Sequence, residues 1–224
     1  ILIEKPGGLN LSEIESLNEL AETLNALVFV GYNRRFYNSV RMARDIINDD
    51  GGVLSAQFEF TELSHKVATL PKSVDSKERW VIGNSSHVID LVFDLVGRPN
   101  NWRCWHAGSL AWHPASARFA GAGITEKNVM FSYLADWEAP GRWGIELLTR
   151  TSRIILRPME VLQVVPLGSF DAEIVKPCDF FDQQYKPGLY LQTQAFVFGD
   201  SQQLCTLKDQ VTNMAIYTQI AGYP

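Results

Sequence analysis

Two short stretches carry residues able to handle a proton beside a ligand. The first is Glu4-Lys5-Pro6, followed at once by Gly7-Gly8. A lysine in a turn that ends a strand can hydrogen-bond a substrate hydroxyl and place positive charge near a hydride acceptor. Ligands of open α/β sheets bind beyond the carboxyl ends of the strands, where such a turn lies. The plain alternative is a surface lysine in a Pro/Gly turn. The second stretch is Gly83-Asn84-Ser85-Ser86-His87-Val88-Ile89-Asp90. Histidine is the side chain best suited to exchange a proton near neutral pH. A capping or half-buried histidine is the structural alternative. Asp90 lies three residues on, so it either orients His87 or forms a surface ion pair. Asn84 or Ser85 reads as a helix N-cap.

The elements around these stretches change character along the chain. Ile1 to Ile3 is strand-like and runs into the Pro/Gly turn. Ser12 with Glu15 matches a capping box, and Ile14, Leu17, Leu20, Ala21 and Leu24 form a helical stripe. Leu27 to Val30 is strand-like again and ends at Gly31. Strand, helix and strand predict a βαβ unit with parallel strands. Two parallel strands are too little sheet to stand alone, so the unit reads as the last piece of a doubly wound domain. A chain that opens on an apolar strand without methionine is expected to be a fragment.

A second helix is predicted from Ser39 to Ile47, ended by Asp49-Asp50-Gly51-Gly52. The period then falls to two: Leu54, Ala56, Phe58 and Phe60 alternate with polar residues, as in a half-buried strand. Leu63 to Lys77 reads as a loop. Ser85 to Val96 reads as a helix with Val88, Leu91, Val92 and Leu95 on one face. Alternation returns from Val129 to Trp137 and from Trp143 to Thr149, with short strands at Ile154–Leu156 and Val161–Val165. Such strands predict an open, mainly antiparallel sheet. Helices at Leu189–Phe198 and Leu207–Ile220 close the chain, the latter with Val211, Met214, Ala215 and Thr218 inward. The fold class is α+β: a Rossmann-like βαβ remnant over residues 1–36, then an α/β domain over residues 37–224 with helices on one face of its sheet.

A length of 224 residues supports a sizeable core, and 46% hydrophobic with 20% charged residues is ordinary globular composition. A net charge of −5 argues against nucleic-acid binding. No apolar run approaches the ~18–20 residues of a membrane span. Cys104, Cys178 and Cys205 are too scattered for a disulfide framework, which fits a cytoplasmic protein. Cys104, His106 and His113 match no standard zinc spacing, so no metal is expected. Trp102, Trp105 and Trp112 beside them fit a core or interface, or a surface for sugar stacking.

In order along the chain, Glu4-Lys5-Pro6, Gly31-Tyr32-Asn33-Arg34-Arg35-Phe36, the His87 stretch, a strand-rich half and a closing helix resemble the Gfo/Idh/MocA oxidoreductases. The resemblance implies a dinucleotide-binding domain followed by a substrate and oligomerisation domain. It implies NAD or NADP as cofactor and a sugar, cyclitol or related polyol as substrate. Carried over by position, Lys5 touches substrate and nicotinamide through a cis Lys5-Pro6 bond, and His87 is the acid/base. Glu4, Lys5, Pro6 and Arg35 then contact cofactor, while Lys5, Trp80, Asn84 and His87 contact substrate. Arg35 has the alternative of pairing with acidic neighbours.

The chain departs from the family twice. Gly83 stands where most members carry an aspartate, four residues before the histidine. A Gly-x-Gly-x-x-Gly phosphate loop is absent. The expected function is the C-terminal part of an NAD(P)-dependent oxidoreductase, weakly binding or inactive as this chain alone. A non-catalytic sensor or an oligomerisation module on the same fold is the alternative. The sheet face bearing Met130 and Leu134 is expected to form a homodimer or homotetramer.

Overall fold

The computed structural model describes residues 1–176 and 180–224, so Cys178 lies outside the described residues. β1 (Leu2–Glu4), α1 (Leu11–Thr23) and β2 (Phe29–Gly31) form the βαβ unit, with β1 and β2 parallel. α1 begins one residue before Ser12. Asn10 is its N-cap: Asn10 Oδ1 accepts from the Glu13 N–H at 2.9 Å, and the Glu13 carboxylate accepts from the Leu9 N–H at 2.7 Å. Asn10 and Glu13 have the same spacing as Ser12 and Glu15, and the earlier pair takes the cap. Of the expected stripe only Ile14 is buried; Leu17, Leu20 and Leu24 are exposed, because this first sheet has only three strands.

Its third strand comes from the other end of the chain. β11 (Cys205–Thr206) pairs antiparallel with β2 in the order β1-β2-β11. Backbone pairing therefore crosses the expected division at residue 36.

The second sheet has eight strands in the order β10-β9-β8-β7-β3-β6-β5-β4. They are β3 (Ser55–Phe60), β4 (Pro99–Ala107), β5 (Arg118–Thr125), β6 (Met130–Asp136), β7 (Trp143–Leu148), β8 (Ser152–Leu156), β9 (Leu162–Pro166) and β10 (Glu173–Val175). All neighbours are antiparallel except β3 and β6, which run parallel. β4 and β5 escaped the sequence reading. Gly121 and Gly123 interrupt the alternation there, and their missing side chains make room for Tyr133 and Trp102.

One face of this sheet is covered by α2 (Asn38–Asp49), α5 (Ser86–Val96) and α8 (Leu207–Ala221). Phe131, Tyr133 and Ala135 of β6 point into that core, with Val129 and Trp137 flanking the strand, while Met130 and Leu134 are exposed. This is the polarity expected from the alternation. α5 is buried almost all round rather than along one stripe, so its apolar content reflects a central position. The inward face of α8 is rotated from the expected one: Gln210, Asn213, Met214 and Tyr217 are buried and Ala215 is exposed. Polar Gln210 and Asn213 hid this face from a hydrophobic pattern.

The stretch from Leu63 to Lys77 holds two short helices, α3 (Ser64–Thr69) and α4 (Val74–Glu78), where a loop was expected. α6 (Phe180–Gln184) and α7 (Leu189–Phe198) precede β11. Among the described residues, no helix is long and apolar enough to cross a membrane.

Candidate active site

The carboxyl end of β1 meets the amino end of α5. Lys5 leaves the strand in a turn whose Lys5–Pro6 bond is cis, as the resemblance implied. Its Nζ donates to the carbonyl oxygen of Gly83. That carbonyl belongs to a π-helical turn over Val81–Ser85, which runs directly into α5. Single π turns inside helices recur at functional sites. Ser85 holds the N-cap position of α5, but with helical backbone angles that continue the π turn and with no capping hydrogen bond from its side chain.

Asn84 and Ser85 have another task. Asn84 Nδ2 and Ser85 Oγ both donate to Glu62 Oε1, at 3.0 and 2.7 Å. Glu62 follows β3 by two residues and is buried. Burial pushes its carboxyl pKa up, against the hydrogen bonds from Ser85 and Asn84. Sequence reasoning missed Glu62. Its available signal was an acidic residue immediately past an alternating strand.

His87 is buried, and its Nδ1 is an orphaned polar atom in the core. Tyr32 packs edge-on against the ring at 5.9 Å, and Trp143 lies at 6.4 Å between centroids. Burial and then the nearby Arg34 and Lys5 charges hold the imidazole pKa well below its ordinary value, so it is neutral at pH 7. Burial, with Arg34 second, lowers the Lys5 pKa to about 8.

Both ends of the chain position this cluster. Gln210 of α8 donates to the Pro6 carbonyl at 2.9 Å and to the Tyr32 hydroxyl at 3.0 Å, linking the Lys5 turn to the ring beside His87. Gly188, at φ +71°, lets the 186–188 turn approach the Asn33 carbonyl, which a Cβ there would meet at 2.0 Å. Lys186, on that turn, adds a third charge that acts on both Lys5 and His87.

Arg35 and Asp90 are placed differently. Arg35 Nε and Nη2 donate to the two Asp90 oxygens at 2.8 and 2.6 Å in a buried bidentate pair. Asn213 and Tyr217 of α8 also approach Asp90, each at 3.4 Å. Asp90 thus spends its oxygens on Arg35 and α8. Trp80 is buried against Trp112, with ring centroids 6.2 Å apart. Glu4 is exposed at the strand end. Beyond Glu62 opens a cavity of ≈ 470 Å³, lined by Arg34, Trp143 and Met159 among others.

His113 is bonded at both ring nitrogens, to the Ser116 carbonyl at 2.7 Å and the Tyr223 hydroxyl at 2.9 Å. Trp112 stacks on Trp137 in the same aromatic group, while Trp105 is exposed.

No family model and no curated protein sequence matches the chain. Solved structures do. The UDP-N-acetylglucosamine 3-dehydrogenase GnnA from Acidithiobacillus ferrooxidans superposes with a TM-score of 0.74 at 15% identity, over 99% of this chain and 70% of its own. An inositol dehydrogenase homolog from Azotobacter vinelandii, complexed with NAD+, gives 0.74 at 15% identity over 98% and 68%. An oxidoreductase from Agrobacterium radiobacter, in complex with NAD+, L-tartaric acid and magnesium, gives 0.75 at 11% identity over 96% and 68%. At these identities the likeness is one of fold: an α+β chain with a large mixed sheet, shared with NAD-binding oxidoreductases.

Proposed function

We propose that this chain is the substrate side of an NAD(P)-dependent oxidoreductase acting on a hydroxyl of a sugar, cyclitol or related polyol. The observation that carries the reading is Lys5, at the carboxyl end of a parallel strand, bonded to the π turn that leads directly into buried His87. Solved dehydrogenases of the same fold support it.

The chemistry follows from the two protonation states. A neutral imidazole accepts the proton of a substrate hydroxyl as its carbon is oxidised. A protonated Lys5 donates a hydrogen bond to that oxygen and stabilises the negative charge that develops there. In carbonyl reduction the same groups act in the opposite sense. Asn84 and Ser85 hold Glu62 at the cavity wall rather than orienting His87 directly.

A nicotinamide, when bound, supplies the hydride acceptor. The residues present fit that end of the cofactor: Lys5 and Pro6 form the strand-end turn, Glu4 is open to solvent there, and His87 Nδ1 is unpartnered. They do not fit the pyrophosphate, for which the chain has no Gly-x-Gly-x-x-Gly loop. Arg35 is engaged with Asp90, so cofactor contact is assigned to Glu4, Lys5 and Pro6.

We also assign the exposed sheet face to self-association, as a homodimer or a dimer of dimers. Met130, Leu134 and Trp105 stand out on it. A cytoplasmic setting agrees with the free thiols of Cys104 and Cys205.

The test is NADH or NADPH formation by the natural gene product with a panel of sugars, cyclitols and their acids. Turnover of at least one member is expected. Absence of turnover with either cofactor across the panel overturns the reading in favour of a sensor.

A further inference from the structure

Arg34 and Arg35 are adjacent in sequence and opposite in state. Arg35 has its donors met by Asp90, Asp94 and the Gln203 carbonyl. Arg34 is mostly buried, yet among the described residues its guanidinium has no ion pair and no hydrogen bond. Its contacts are aromatic: its Cζ lies 4.9 Å from the Trp143 ring centroid and 5.9 Å from that of Tyr37. These faces hold the planar group in place while leaving its N–H edge unused. The Arg34 nitrogens face the cavity rather than being sealed in the core, so a ligand entering there can reach them.

The surrounding charges favour that anion. Arg34 lines the ≈ 470 Å³ cavity, and Lys66 and Arg142 stand exposed at its rim. His87, whose ring lies 6.4 Å from that of the lining Trp143, is reached by the Lys5 and Lys186 charges. Against these stand Glu160, exposed, and Glu62, whose Oε1 is already taken by Asn84 and Ser85. Neither acid pairs with Arg34. A chain of net charge −5 has thus gathered cations around one concave site.

We propose that this cavity seats an oxyanion carried by the substrate, so that the substrate is a polyol or sugar bearing a carboxylate or phosphate, held by the Arg34 guanidinium. The fork of N–H donors matches either group in bidentate fashion. The inference builds on the polyol reading above and narrows it. Arg34 then fixes the anionic end of the molecule while Lys5 and His87 meet a hydroxyl elsewhere on it.

Calorimetry on this 224-residue chain tests it with three probes of one carbon skeleton: D-glucitol, its carboxylate counterpart D-gluconate, and phosphorylated D-glucitol. At least one anionic probe is expected to bind about tenfold or more tighter than D-glucitol. Whichever anion wins identifies carboxylate or phosphate as the group. Arg34→Gln should bring that probe to within about twofold of D-glucitol, and Arg34→Lys, which keeps charge without the fork, should fall between. Circular dichroism checks that each variant is folded, and Arg34→Lys remains informative if Arg34→Gln is not. Equal binding of all three probes, no anion binding up to about 10 mM, or an anion preference that survives both substitutions overturns the proposal. Because no cofactor takes part, failure of redox turnover and failure of anion selection are separate results.

Discussion

Lys5 donates to the carbonyl of Gly83, the residue four positions before His87. The position where the resemblance led us to expect an acidic side chain thus contributes a backbone acceptor instead. The carboxylate of this site is Glu62, delivered from the end of β3 and fastened to the same π turn by Asn84 and Ser85. Lysine, imidazole and carboxylate come from three separate parts of the chain.

The pH dependence follows from this arrangement. His87 is kept neutral by burial and by Arg34 and Lys5, so the base is available through the neutral range. Lys5 loses its proton at about pH 8. In the natural gene product, kcat/KM for hydroxyl oxidation should be level near neutrality and fall above about pH 8, and Lys5→Arg should move that fall to higher pH. A profile that keeps its alkaline fall in Lys5→Arg assigns it to another group.

Folding stability should carry the His87 signature as well. Its folded pKa lies below the unfolded value, so the unfolded state binds the extra proton. Stability is therefore complete above about pH 6.5 and is lost as pH falls through the window beneath it. His87→Gln should shrink the loss between neutral and mildly acidic pH, measured by urea unfolding. An unchanged acid dependence would show that His87 titrates normally in the folded chain.

The Arg35–Asp90 pair makes a prediction about stability rather than chemistry. Arg35→Met leaves a buried carboxylate without its partner and should cost about 3–5 kcal/mol in denaturant unfolding. The double variant Arg35→Met/Asp90→Leu should recover much of that loss. A cost below about 1 kcal/mol for the single variant would mean that the pair is open to water.

Much of this fold was legible because its strands alternate and its helices are amphipathic. Val129 to Trp137 displayed a complete inward face, and the parallel pairing of β1 with β2 followed from the βαβ order. What escaped depended on polar or small residues at buried positions. Gly121 and Gly123 hid β5, and Gln210 and Asn213 hid the inward face of α8. In the site, Lys5, His87 and Arg34 stood in motifs, the last without a role of its own, whereas Glu62 matters only through where the end of β3 delivers it. Asp90 lay beside His87 in the sequence and was drawn away by Arg35.

The exposed sheet face predicts assembly. Leu134 is 60% exposed on the face opposite the helices. Light scattering should give a dimer or tetramer at micromolar concentration, and Leu134→Glu should reduce the mass toward the monomer with the fold retained. A monomeric unmodified chain removes this face as an interface.

The most direct measurement is the single-turnover rate of hydride transfer in the natural gene product and its His87→Ala variant, with cofactor affinity measured alongside. Loss of on the order of 10²-fold or more in the chemical step, with cofactor affinity little changed, is the predicted result. A His87→Ala variant that transfers hydride at close to the unmodified rate across neutral and alkaline pH would contradict the assignment of His87 as the proton-handling group.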